Sequence, residues 1–220
     1  MNVKAQSKNQ AVYETIRDAI VYGEFQPGAR IVIDELAEKL QVSHSPIREV
    51  LRQLEADGFV TIKPYAGVTV TELPASFITE VFAILEAMEV ISSTRACTRM
   101  TEQDFDELEA FVAEIGNHLD DPYAWSSRNV ELHLLICDYA ETSIVKDTMQ
   151  RTLRHWFRLR HHYLKDVSRK RIPTAHAEHV EIIQAMRQRD VELVEQIIRR
   201  HNRSALAYHL EHIEQEVLNE

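Results

Sequence analysis

The chain has 220 residues, 45% of them hydrophobic, with 25 Lys and Arg against 35 Asp and Glu and a formal charge of −10. That is enough apolar material for a packed core, which excludes a wholly disordered chain. The acidic balance argues against a protein that coats polyanions with a broad basic surface, and leaves room for a small basic face.

The two cysteines, Cys97 and Cys137, show no Cys-x-x-Cys spacing, so they offer neither a disulfide framework nor a thiolate metal site and read as reduced core thiols. Met1 to Gln10 lacks the apolar stretch of a secretion signal, and no apolar run approaches the roughly 20 residues of a membrane span. The sequence therefore predicts a cytoplasmic protein with no membrane partner.

Gly23, Gly28, Gly58 and Gly67 all precede residue 72, so sharp turns concentrate there and long helices are expected afterwards. Pro74 disfavours helix at Leu73 and Ser76 can cap a helix starting at Phe77, which predicts two domains, residues 1–72 and 73–220. The first holds 8 Lys and Arg against 10 Asp and Glu, a net of −2; the second holds 17 against 25, a net of −8. His44 is alone in the first part and the other ten histidines lie in the second.

Gln10 to Tyr22 carries Val12, Ile16, Ala19 and Ile20 at helical spacing and stops before Gly23. Next come a Pro27-Gly28 turn and a short apolar stretch at Ile31 to Ile33. Asp34 is placed to cap a second helix with Leu36, Ala37 and Leu40. After Gln41-Val42-Ser43, Ser45 and Pro46 suit the start of a third helix that presents Ile47, Val50, Leu51 and Leu54.

Two helices joined by three residues form a helix-turn-helix. Phe59 to Ile62 and Val68 to Thr71 read as a strand pair turning through Lys63 to Gly67, which makes the unit a winged helix-turn-helix. Its outward candidates for duplex DNA are Ser43, His44, Ser45, Arg48 and Arg52 on the third helix, with Lys63 and Tyr65 in the wing. Arg48 and Arg52 stand one turn apart, where guanidinium forks reach base edges or phosphates. Ordinary solvated polar residues on a protein-interaction module are the alternative.

Ile16-Arg17-Asp18-Ala19-Ile20, Gly23 to Gly28, Glu35 to Leu40, and above all Ser43-x-Ser45-Pro46-x-Arg48-Glu49-x-Leu51-x-x-Leu54 resemble the GntR winged-helix regulators, which implies operator DNA as a partner. Asp34 and His44 stand where members of that family often carry arginine, which should weaken phosphate binding. Arg48 keeps its place.

The remainder reads as six helices: Phe77 to Met100, Glu102 to His118, Pro122 to Ala140, Ser143 to about Lys165, Thr174 to Arg189, and Val191 to about Leu218. Short connections predict an antiparallel bundle, so the fold class is mainly α. In the first of these, Phe77, Val81, Ile84, Leu85, Met88 and Ile91 form one stripe. Ser168 to Pro173 reads as a basic loop.

Polar residues occupy core-facing positions: Asn129 and His133 as an i, i+4 pair, His179 with Ile182 and Met186, and His201 below Ile197 and Ile198. A divalent metal (Zn, Ni, Mn or Fe) would satisfy such a set together, and hydrogen-bonded core histidines are the alternative. His176 is a weaker partner for His179. His118, His155, His161, His162, His209 and His212 are read as surface or supporting residues.

Residues from about Phe77 to Tyr208 resemble the FCD effector-binding domain of the FadR subfamily, and six helices resemble its VanR branch. The resemblance implies a metal site at Asn129, His133, His179 and His201, a small-molecule effector, and a homodimeric repressor with a cytoplasmic operator target. Asparagine replaces an aspartate at 129, and Phe82 stands where the family often has an arginine that pairs with a carboxylate effector. Phe82, Arg154 and Arg158 are therefore the candidate effector contacts, the arginines as substitutes. A metal-free pocket for an acyl chain, and a metal-dependent hydrolase, are the competing readings. No catalytic residue is assigned.

Overall fold

The computed structural model describes the backbone of residues 3–163 and 165–217. Two compact units, Met1–Pro74 and Ala75–Glu220, divide the chain.

In the first unit, α1 (Val3–Val21) leads to β1 (Arg30–Ile31), α2 (Ile33–Leu40), α3 (His44–Ala56), β2 (Val60–Lys63) and β3 (Gly67–Val70). The three strands form an antiparallel sheet in the order β1-β3-β2, with Val60 opposite Val70 and Lys63 opposite Gly67. Arg30 and Ile31 thus pair with β3 as a third strand, beyond the expected hairpin. Ile16 and Ile20 of α1, Ile47, Leu51 and Leu54 of α3, and Phe59, Val60, Val68 and Val70 of the wing are all buried. Tyr13 Oη donates to Asp57 Oδ2 at 2.5 Å, tying α1 to the end of α3.

Two caps differ from expectation. Val32 precedes α2, and Asp34 lies inside its first turn, where a carboxylate suits the positive end of the helix dipole. Ser43, not Ser45, is the N-cap of α3; Ser45 and Pro46 fall within the first turn. Pro46 is tolerated there because the first four backbone N–H groups of a helix have no intrahelical acceptor.

The second unit consists of α4 (Ala75–Arg99), α5 (Glu102–Ile115), a single 3-10 turn (Gly116–His118), α6 (Pro122–Tyr139), α7 (Ser143–Tyr163), α8 (Lys165–Arg187) and α9 (Val191–Val217). Helix α4 packs against α6, α7 and α9, and α8 packs against α5 and α9. Thr101 and Asp104 form a reciprocal capping box on α5, and Asp121 accepts from Tyr123 and Ala124 N–H to start α6. Glu141 takes a left-handed conformation at φ 51° to end α6, a role usually given to Gly or Asn.

Helix α8 begins well before Thr174 and contains Pro173, so the expected basic loop is helical. Two of its residues explain this: Arg171 and Ile172 are buried, and Arg171 bonds Glu178 further along the same helix. Tertiary contacts outweigh the one backbone bond that Pro173 deletes. Residue 164 and the side chains of 163–168 lie outside the described residues.

The stripe expected on α4 is also redrawn. Val81, Phe82, Leu85, Ala96 and Cys97 are buried, whereas Ile84 and Ile91 are 42% and 45% exposed. Both sides of this helix are apolar.

Candidate functional site

Ser43, His44, Ser45, Arg48 and Arg52 all present exposed side chains at the start and outer face of α3, because the 3.6-residue period that buries Ile47, Val50, Leu51 and Leu54 turns them outward. Lys63 and Tyr65 are exposed at the wing, where Tyr65 adopts φ 63°. Arg48, Arg52 and Lys63 form no ion pair within the described residues, in contrast to Arg17 with Asp18 and Lys39 with Glu24. Their charges stay available for a polyanion. His44 Nε2 lies 3.1 Å from Asp34 Oδ1, so the two positions that depart from the family pattern meet each other.

In the helical unit a cavity of about 70 Å³ opens between α4, α6, α7, α8 and α9. At about 10–15 Å³ per molecule it has room for roughly five waters. Asn129, His133, His179 and His201 all line it, as does Phe82. His179 lies with ring centroids 5.4 Å from His133 and 4.8 Å from His201, and its ring stacks on Trp125 at 6.0 Å.

Two carboxylates, a half-buried Glu178 and a buried Glu89, hold this cluster. His201 Nδ1 is 2.7 Å from Glu178 Oε2, which also accepts from Arg171 at 2.8 Å. An ionised carboxylate only accepts, so His201 donates a proton from Nδ1. Glu89 accepts from Asn202 at 2.7 Å and faces His133 Nδ1 at 3.4 Å. Desolvation pushes the Glu178 carboxyl up, but His201 and Arg171 together outweigh it and hold the group below its ordinary value. Desolvation pushes His133 and His179 down, keeping both imidazoles neutral.

His179 Nδ1 and Nε2, Asn129 Oδ1 and Trp125 Nε1 are buried without a hydrogen-bond partner. Leaving such atoms unpaired costs about 1–3 kcal/mol each, which calls for an occupant. By donor type, three imidazoles and an amide oxygen fit a divalent ion, with Glu178 orienting His201 as metal-bound histidines require. As they stand, no three His, Cys, Asp or Glu side chains among the described residues are arranged to hold a metal ion.

The arginine substitutes are misplaced by helical phase. Leu153, Trp156 and Arg160 share the cavity face of α7, whereas Arg154 and Arg158 do not line the cavity, and Arg158 is completely buried elsewhere. Arg160 and Arg171 are the lining cations. His209, read from the sequence as a surface or supporting residue, is in the wall, packed 4.9 Å from Trp156 and 5.8 Å from Phe82. Desolvation, with Arg171, His212 and Arg160 nearby, lowers its pKa to about 3. His176 is absent from the lining. The signal for His209 and Arg160 was present as polar residues on otherwise apolar stripes of α9 and α7.

The bacterial gntR regulatory-protein model matches residues 8–70, and the FCD domain model matches residues 80–204. The chain belongs to the GntR family. Its two-part architecture is that of the FadR subfamily, whose members are transcriptional regulators and not enzymes. This GntR regulator is 27% identical to the HTH-type transcriptional regulator YdhC of Bacillus subtilis over 93% of the chain and 91% of that protein. It is 25% identical to the HTH-type transcriptional repressor RspR of Escherichia coli over 89% and 86%. Escherichia coli McbR/YncC shares the fold at a TM-score of 0.75 and 19% identity, over 96% and 98% of the two chains. No helix among the described residues is long and apolar enough to cross a membrane.

Proposed function

We propose that this GntR regulator is a homodimeric, cytoplasmic repressor that holds operator DNA with its winged helix and releases it when a small organic acid enters the helical cavity. The observation that carries this reading is the cavity itself, whose wall includes buried polar atoms of Trp125, Asn129 and His179 without a hydrogen-bond partner. Ser43, His44, Ser45, Arg48, Arg52, Lys63 and Tyr65 would contact DNA, Arg48 most directly, by a bidentate fork to a base edge or a phosphate. RspR, similar along most of the chain, is named a repressor.

A divalent ion would be held by His133, His179 and His201, with Asn129 as an amide-oxygen ligand, and would draw an oxygen of the effector towards the cluster. Glu178 fixes the tautomer of His201, and Glu89 with Asn202 positions His133. The exposed Ile84 and Ile91 on α4 support a partner on that face, and a second copy would give two recognition helices spaced for adjacent major grooves.

The separation of the three histidines from a closed ligand set favours one second reading, a metal-free cavity for the same class of ligand. The test selects duplex fragments from random DNA with the full-length protein. Affinity for the selected fragment is then measured across a panel of organic acids, with and without chelator. Release by an acid only in the unchelated protein supports the metal-dependent reading; release in both supports the metal-free one; no release by any acid contradicts an organic-acid effector.

A further inference from the structure

Arg171 spends its charge on Glu178, but Arg160 has no carboxylate partner among the described residues. Its hydrogen bond runs 2.8 Å to the Pro122 carbonyl, which fixes the guanidinium against the first turn of α6. Trp125, one turn along, is buried with its indole N–H unpaired and also lines the cavity. Asp121, the nearest acid in sequence to Pro122, is engaged by Tyr123 and Ala124 N–H.

The cavity wall therefore carries charge of both signs. Glu89 and Glu178 stand beside the histidines, and Arg160, a cation without a counterion among the described residues, stands at the start of α6, where the unpaired Trp125 indole stacks on His179. Phe82, Trp156 and His209 add a wall of rings, Phe82 edge-on to Trp156 at 5.2 Å. Such a wall favours a ring packed edge-on or offset.

We propose that the anionic end of the ligand is seated by Arg160 and the Trp125 indole N–H, so that the cavity selects a small carboxylate whose body is a ring. This rests on the reading of the cavity as a ligand site and names its ligand class. The anchor comes from α7, and Phe82 of α4 forms part of the surface that grips the ring. A guanidinium beside a partially desolvated donor holds a carboxylate by charge-assisted bonds that a neutral amide cannot replace.

The chain has two tryptophans, and both line the cavity, so its intrinsic fluorescence reads occupancy directly. The full-length, DNA-free protein is titrated with benzoate, its neutral isostere benzamide, and acetate. The expected result is saturable benzoate binding at least tenfold tighter than either control. Arg160→Gln should weaken benzoate at least tenfold and leave benzamide within twofold, Arg160→Lys should recover part of the loss, and Trp125→Phe should weaken benzoate severalfold with Trp156 as reporter. Equal affinity for benzoate and benzamide in the unaltered protein overturns the proposal even if the variants fail to fold. So does acetate binding as well as benzoate, an absence of benzoate binding, or unchanged affinity in Arg160→Gln. Because no DNA is present, these outcomes are independent of whether the ligand governs operator binding; benzoate that binds without altering operator affinity would instead fail the effector reading.

Discussion

His201 Nδ1 lies 2.7 Å from a Glu178 carboxylate that simultaneously accepts from the buried Arg171 guanidinium 2.8 Å away. One acid thus sets the tautomer of a cavity histidine and neutralises a cation that has little access to water. Glu178→Gln leaves Arg171 charged and buried without its counterion, and breaking a buried pair this way costs about 3–5 kcal/mol. Urea unfolding should show that loss. If a metal is bound, its affinity should also fall by about 10–100-fold, the usual effect of removing the carboxylate behind a ligating histidine. Unchanged stability would contradict the pairing.

At the DNA-facing unit, His44 and Asp34 meet at 3.1 Å with side chains 58% and 85% exposed. Such exposed pairs contribute about 0–1 kcal/mol, so Asp34→Arg should leave the melting temperature nearly unchanged. It replaces a repelled charge with an attracted one, and should tighten DNA binding and steepen the slope of log affinity against log salt by about one unit. Fluorescence anisotropy at several salt concentrations checks both.

Arg48→Ala should weaken specific operator binding by about 1–3 kcal/mol without changing stability, since the side chain is exposed and forms no ion pair among the described residues. Ile47→Ala, one residue away but fully buried, should cost about 2–5 kcal/mol of stability instead. The opposite pattern in melting and anisotropy measurements would refute the assignment of the two faces.

The apolar outer face of α4 makes a separate prediction. Ile84→Asp with Ile91→Asp should convert a dimer to a monomer at micromolar concentration in sedimentation velocity while preserving helical content, because both side chains are solvent-facing in the single chain. A double variant that remains dimeric places the interface elsewhere.

Stability should fall in mild acid. Burial holds His133 and His179 below their ordinary value and His209 at about 3, so all three stay neutral in the fold. The unfolded chain takes up these protons near pH 6.5, so between that value and the folded pKa it binds more protons than the native state, and unfolding becomes easier as pH drops. Each buried histidine contributes up to about 1.4 kcal/mol per pH unit. In chelator-treated protein the melting temperature should be lower at pH 5 than at pH 7.5, and His209→Phe should flatten the slope.

Sequence periodicity carried the winged helix because Ile47, Val50, Leu51 and Leu54 leave one face for Arg48 and Arg52, a local pattern that the packing preserves. It also brought Asn129, His133, His179 and His201 to one cavity, since polar residues on apolar stripes are few and conspicuous. The features that periodicity did not carry depend on neighbours. Pro173 reads as the end of a basic loop, yet the burial of Arg171 and Ile172 draws the helix back through it. Ile84 and Ile91 belong to the same apolar run as Leu85, and the single chain covers only one side of that helix. Among the arginines of α7, phase alone separates Arg160 from Arg154 and Arg158, and phase depends on which side of the helix the core lies.

In the proposed regulator, occupancy of the helical cavity sets the affinity of the winged helix for DNA. Anisotropy titration of a selected operator duplex with the full-length protein, without and with benzoate at a concentration that saturates the tryptophan signal, tests this coupling most directly. At least tenfold weaker operator binding in the presence of benzoate is predicted. Identical affinity with the tryptophan signal saturated would contradict it.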